Sequence, residues 1–169
     1  MEFQHICLEL ANGAGVIQKL VEGVTQAEAT IRPNSDAWSI LEVVCHLLDE
    51  EREDFRAHLD LILNRPEEGW QQINPGEWPS ERKYNERSLA EMLEQFLAER
   101  KTSLAWLRGL QAPNWDAIYQ IPFGRMQAGD MLAAWAAHDN LHIRQLVELR
   151  RARVVSMAEP YDVRYAGDW

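Results

Sequence analysis

Apolar positions along the chain recur with helical period in four stretches. The first runs from Phe3 to Ala27, with Ile6, Leu10, Val16, Ile17, Leu20, Val21 and Val24 on its stripe. Gly13 and Gly15 weaken its middle, since glycine costs a helix interior about 1 kcal/mol relative to alanine. Arg32-Pro33-Asn34 stops helical structure, and Ser39-x-x-Glu42 then has the capping-box form, in which each side chain satisfies a backbone N–H of the other residue. A second helix is predicted from there to about Leu63, ending before Pro66. Residues 67–85 carry Gly69, Pro75, Gly76 and Pro79 without a period and predict a long irregular connection. Ser88-x-x-Glu91 opens a third helix, carried to Gly109 by Leu89, Met92, Leu93, Phe96, Leu97, Leu104, Trp106 and Leu107. After Pro113-Asn114, the loose alternation from Ala117 to Met126 around Pro122 and Gly124 predicts a short hairpin or an extended crossing of the bundle end. A fourth helix follows from about Asp130 to Arg151, and Tyr161 to Trp169 form a polar, aromatic tail that packs or frays. Four long helices predict an all-α four-helix bundle: one domain over 1–169, with its core at 3–151 and a tail at 152–169.

Composition narrows the class of function. Hydrophobic residues make up 46% and charged residues 26%, which is globular and excludes disorder or a fibrous repeat. Lys plus Arg count 17 against 27 Asp plus Glu, a net charge of −10 that repels phosphate backbones, so no nucleic-acid partner is expected. No apolar run reaches the ~18 to 20 residues that cross a bilayer, and Glu2 and Glu9 occupy the place of a basic, then apolar, signal segment. The expectation is a cytoplasmic protein that does not bind membranes. Cys7 and Cys45 fall in apolar helical patterns and read as small core thiols, with no disulfide. Seven tryptophans are many for this length and read first as core and loop anchors. Trp38, Trp70, Trp78 and Trp115 fall in loops or at helix ends, where such rings also wall pockets.

Candidate chemistry lies in two helices. The fourth contains His138-Asp139-Asn140-Leu141-His142, and residues four apart share a helix face, so two rings can hold one cation. With His138 at zero and about 100° per residue, Met131 and Leu149 lie near +20°, His142 near +40° and Trp135 near +60°. Both rings are thereby aimed along the stripe facing the bundle interior. Imidazoles there need partners for their nitrogens, which a metal ion or core hydrogen bonds supply. A pair falls short of the usual three or four metal ligands. The second helix offers a third at His46, where Glu42, Asp49, Glu50 and Glu53 fall within about 60° while Val44, Leu48 and Phe55 lie opposite. Such a line is either a solvated face or the wall of a wet cleft, whose carboxylates hold the second ring proton of a ligating histidine or move substrate protons.

Three segments together resemble the DinB-like superfamily. They are Trp38-Ser39-x-x-Glu42-x-x-x-His46-Leu47-x-Asp49-x-Glu51, Gly124-x-x-x-x-Gly129-Asp130-x-Leu132, and His138-Asp139-x-x-His142-x-x-Gln145-Leu146, in the same order and spacing. The likeness runs from the first helix to Arg151. It implies a four-helix bundle, often dimeric, in which one second-helix histidine and an H-x-x-x-H pair of the fourth bind a divalent metal. On this chain those positions are His46, His138 and His142. Three protein ligands and an open vertex match the build of catalytic zinc sites; zinc or nickel is expected first, then iron or manganese.

An open cation either activates water for hydrolysis or binds a thiol as the nucleophile of a transferase. Similar proteins include transferases and isomerases that use bacillithiol or mycothiol. The resemblance therefore implies an enzyme that transfers a low-molecular-weight thiol to a small electrophilic substrate, with a metal-dependent hydrolase or a non-catalytic dimeric binding module as alternatives. For proton handling Glu50 and Glu42 stand one turn either side of His46, and Asp139 ranks behind them, at about 100° from His138. Arg144, Arg150, Arg151 and Arg153 read as cations offsetting a helix C-terminal dipole, ahead of a role in holding the carboxylates of an acidic thiol. His5 and His58 read as ordinary polar residues. A homodimer is the expected assembly.

Overall fold

A computed structural model describes residues 2–122 and 124–167. Phe123, inside the predicted hairpin, and Asp168 and Trp169, at the end of the predicted tail, lie outside the described residues.

The first helix, α1, spans Phe3–Val21 and stops six residues before the expected Ala27. Gly23 adopts φ +77°, a left-handed conformation that ends the helix. Thr25 then opens a separate short helix, α2 (Gln26–Ala29), with a complete capping box to Glu28. The Thr25-x-x-Glu28 signal is present in the sequence and marks this break.

The second long helix begins as expected. Ser39 caps α3 (Ile40–Asp49): its side chain accepts from Glu42 N while the Glu42 carboxylate accepts from Ser39 N. The same rod continues through a π-helical segment, Glu50–Phe55, into α4 (Arg56–Asn64). The 67–85 connection is more ordered than predicted. It contains α5 (Trp78–Glu81) and a 3₁₀ turn at Tyr84–Glu86, and both Trp78 and Tyr84 are buried. Arg82 lies over the Trp78 ring at 4.1 Å and donates to Asp49 and Glu53, while Tyr84 Oη donates to Asp49 Oδ2 at 2.7 Å. Two acids of the carboxylate line beside His46 are thus occupied in holding this connection to α3.

The third long helix, α6 (Leu89–Gly109), is capped by Ser88 as predicted. The hairpin forms, with β1 (Ile118–Ile121) antiparallel to β2 (Gly124–Gln127) and Ile118 opposite Gln127. It leads directly into α7 (Ala128–Ala158). That helix outruns the expected Arg151 by seven residues, so Arg144, Arg150, Arg151 and Arg153 lie before its last turn and do not neutralise its end. Arg144 pairs with Glu148, Arg150 donates to the Leu20 carbonyl and Arg153 pairs with Glu28. Among the described tail residues, Tyr161 and Tyr165 are exposed, so these rings do not pack.

The chain is mostly helical, a four-helix bundle of α1, α3–α4, α6 and α7 with a two-stranded hairpin. Its apolar interior divides in two. One cluster joins Ile17, Val44, Leu48, Phe96 and Leu146; the other joins Leu10, Phe55, Leu104, Trp135 and Ala136. Between them each long helix contributes to a buried polar layer. Arg100 Nε donates to Glu51 Oε1 at 2.9 Å, its two terminal nitrogens donate to Asp139, and Nη1 also reaches the Leu10 carbonyl at 2.6 Å. Trp135 Nε1 donates to the other Glu51 oxygen at 3.0 Å. Every charged group in the layer is therefore hydrogen-bonded, with one guanidinium shared by two carboxylates, as burial demands. The free thiols of Cys7 and Cys45 are both buried. None of the described helices is long and apolar enough to cross a membrane.

Candidate metal centre

The three histidines meet at this middle level. One ring nitrogen from each of His46, His138 and His142 lies within 4.8 Å of the others. His46 reaches the point from the last turn of α3; His138 and His142 reach it from successive turns of α7. His46 and His142 are buried, and His138 is only partly exposed. The π segment brings a further ring to the site. The 100° wheel sets Phe55 opposite His46, but a π turn takes more residues per turn, so positions beyond it lag. Phe55 consequently sits 4.9 Å from the His138 ring and parallel to Trp135.

Each imidazole can be followed atom by atom. His142 Nδ1 lies 2.8 Å from Gln145 Oε1, an acceptor, so Nδ1 carries the proton and Nε2 presents its lone pair. That lone pair faces His138 Nε2 at 3.0 Å. His46 Nδ1 is fully buried with no hydrogen-bond partner, and His46 Nε2 lies 3.7 Å from Glu50 Oε1. Trp38 closes this side, edge-on to His46 at 4.7 Å and parallel to His142 at 6.2 Å. Of the four tryptophans set in loops or at helix ends, Trp38 thus walls the site, Trp78 is core, Trp115 packs on Phe3 and Trp70 stacks on His58.

Burial, reinforced by the neighbouring rings, lowers the His46 imidazole to about 2 and that of His138 to about 3; burial lowers His142 as well. All three are neutral at pH 7, the form that binds metal. Three convergent neutral nitrogens, one held in its tautomer by Gln145 and one with an orphaned buried nitrogen, fit a divalent cation.

The two nominated carboxylates differ. Glu50 is buried beside His46, and its carboxyl is pushed up to about 9 by burial, by the charge and hydrogen bond of Asp54 and by Asp49. Glu42 is also buried, but its oxygens are taken by Ser39 N and by both ends of the Arg32 guanidinium. Burial would raise its carboxyl, but Arg32 and the cap outweigh that and hold it lowered. The carboxylate line is divided: Glu42, His46 and Glu50 lie in the interior, Asp49 pairs with Arg82, and Glu53 is exposed. Asp139 serves Arg100 in the ionic layer. His5 is an exposed partner of Glu2, whereas His58 is buried with both nitrogens engaged. Glu51, Arg100 and Gln145 were the members of this layer whose roles sequence spacing did not reveal.

No curated protein matches the sequence. YfiT from Bacillus subtilis has a similar fold, with TM-score 0.78 over 89% of this chain and 86% of that one, at 17% identity. That protein is described as "a probable metal-dependent hydrolase with an unusual four-helix bundle topology". The family model of the DinB superfamily matches residues 9–146, a span that contains all three histidines and the ionic layer, and the chain belongs to that superfamily.

Proposed function

We propose that this protein is a divalent-metal-dependent enzyme, a hydrolase in the first reading, in which His46, His138 and His142 hold the ion and Glu50 handles protons. The observation that carries the proposal is the convergence of three neutral imidazoles within 4.8 Å, with a buried carboxyl 3.7 Å from one of them. When bound, the ion supplies Lewis-acid activation of a nucleophile: water in a hydrolase, a small thiol in a transferase. Gln145 orients His142, and Trp38 shields two of the rings from solvent. In the metal-free protein burial keeps a proton on Glu50 at neutral pH, and beside His46 this carboxyl stands where it can give a proton to a leaving group and take one back.

The likeness to YfiT supports hydrolysis. Arg144, Arg150 and Arg153 are engaged with Glu148, Leu20 and Glu28, which leaves them poorly placed to seat an acidic thiol. Thiol transfer, supported by the family likeness of the histidine motifs, is the second reading. Zinc and nickel are the first candidates for the ion.

Metal content after separate supplementation with zinc, nickel, manganese and iron tests the proposal. One ion per chain is expected in wild type and none in His142→Ala. The loaded protein should cleave activated esters without added thiol and lose that activity to a chelator; conjugation of an electrophile only when thiol is supplied would instead establish transfer. Failure of the wild type to retain any of the four ions defeats both readings.

A further inference from the structure

His46 stands on the α3–α4 rod and His138 and His142 stand on α7, so the three rings meet only while the two rods keep one register. Sliding a helix by a single residue moves its side chains about 1.5 Å, several times the ~0.2 Å that a metal–nitrogen bond tolerates. Apolar surfaces permit such slips, whereas directed bonds between buried polar groups specify one arrangement. The layer of Glu51, Arg100, Trp135 and Asp139 supplies those bonds at the level of the site. Glu51 lies five residues beyond His46, and Trp135 and Asp139 lie three before and one after His138. Trp135 Nε1 ties α7 to Glu51 directly, at 3.0 Å. Arg100 ties the same two elements again, at 2.9 Å to Glu51 and at 2.6 and 2.8 Å to Asp139. All three charged side chains are at most 2% exposed, so water offers none of them another partner. α7 is thus fastened to the rod that carries His46 on both sides of His138.

We propose that Arg100 is a positioning residue of the metal centre: with Glu51, Trp135 and Asp139 it locks α7 and the α3–α4 rod in the register that brings His138 and His142 to His46, so that the site is formed before an ion arrives. The inference rests on the reading that the three histidines bind a metal. It gives a purpose to charges buried at the level of the imidazoles, and it makes α6, which carries none of the ligands, the element that sets their spacing.

Two variants of the full chain remove the tie in different ways. Glu51→Gln/Arg100→Gln keeps the formal charge of the layer and loses the guanidinium fork; Asp139→Asn keeps the side-chain shape and loses an acceptor of that fork. Leu107→Ala, a buried truncation about two turns further along α6, is the control for stability alone. Zinc affinity measured against a competing chelator should fall about tenfold or more in both variants and keep the wild-type value in Leu107→Ala. In metal-free crystals of both variants the His46 and His138 ring centroids, 5.4 Å apart in the native chain, should separate by about 1 Å or more. Native zinc affinity in the double variant overturns the proposal, and so do rings that stay in place in either variant or a loss in Leu107→Ala equal to theirs. Should the double variant fail to fold, Asp139→Asn decides by the same two measurements. If the native chain takes up no zinc, the reading of the histidines as ligands fails instead, and the ring separation in the metal-free variants still decides whether Arg100 sets the register.

Discussion

Gln145 sets the chemistry of His142 by a single hydrogen bond: accepting the Nδ1 proton turns the Nε2 lone pair toward His138. Arg100 acts similarly on a larger scale, since its fork fixes Asp139 with two bonds and Glu51 with a third. The consequence falls on Gly13. A Cβ there would lie 2.5 Å from Asp139 Oδ2, an atom Arg100 does not let move. Gly13→Ala gains about 1 kcal/mol of helix propensity, but overpacking against a fixed carboxylate should cost more, for a net loss of about 1 to 2 kcal/mol in urea denaturation. Gly15→Ala, with nothing within 4 Å, should instead stabilise by up to ~1 kcal/mol. Equal effects at the two positions would count against the ionic layer as a rigid element. The three histidines were legible because two share a helical spacing and the third lies in a motif. Arg100 was not, because its partners Glu51 and Asp139 lie 49 and 39 residues away, and no periodicity encodes such a meeting.

Elements were legible where their signals are local. Ser39 and Ser88 each opened a helix as their spacing to a glutamate three residues on predicts, and the hairpin formed around Pro122 and Gly124. The π segment at Glu50–Phe55 was not legible, because the 100° wheel assumes an uninterrupted α-helix. It matters to the site, since the lag it introduces carries Phe55 round to His138. The 67–85 connection looked structureless because its order comes from Trp78, Tyr84 and Arg82 docking on α3, a tertiary effect. Capping strength is measurable at this scale. Ser39 is fully buried, accepts from Glu42 N and donates to Asn85 Oδ1 at 2.6 Å, whereas Ser88 makes only a 3.4 Å contact with Glu91 N. Ser39→Ala should cost about 1 to 2 kcal/mol and Ser88→Ala about 0.5 to 1 kcal/mol by chemical denaturation. The reverse order would show that the Ser39 box does not organise the start of α3.

At the scale of the molecule, two apolar clusters are joined by a level rich in charge and imidazole, and that level makes stability depend on pH. His46 and His138 have folded values near 2 and 3 against an ordinary 6.5, and His142 is also lowered. Below pH 6.5 the unfolded chain therefore binds more protons, so stability falls as pH falls toward 3. Glu50 acts in the opposite sense: held up near 9 against an ordinary 4.5, it keeps a proton that the unfolded chain gives up, so stability falls as pH rises from 4.5 to 9. Three histidines outweigh one carboxyl on the acid side; above it Glu50 acts first, joined near pH 9 by the Cys45 and Cys7 thiols, which burial pushes up. Thermal melts of metal-free protein should show a maximum near pH 6.5, and Glu50→Gln should remove the decline between pH 6.5 and about 8 while leaving the acid one, because the raised thiols of Cys45 and Cys7 contribute only at higher pH. An alkaline decline unchanged in that variant would refute the buried, protonated state of Glu50.

The central claim is that His46, His138 and His142 close on one ion. X-ray absorption at the zinc edge of protein loaded with one equivalent measures this most directly. The account predicts three imidazole nitrogens at about 2.0 to 2.1 Å with one further light atom, falling to two imidazoles in His46→Ala. A zinc shell without three imidazoles, or a His46→Ala spectrum identical to wild type, would contradict it.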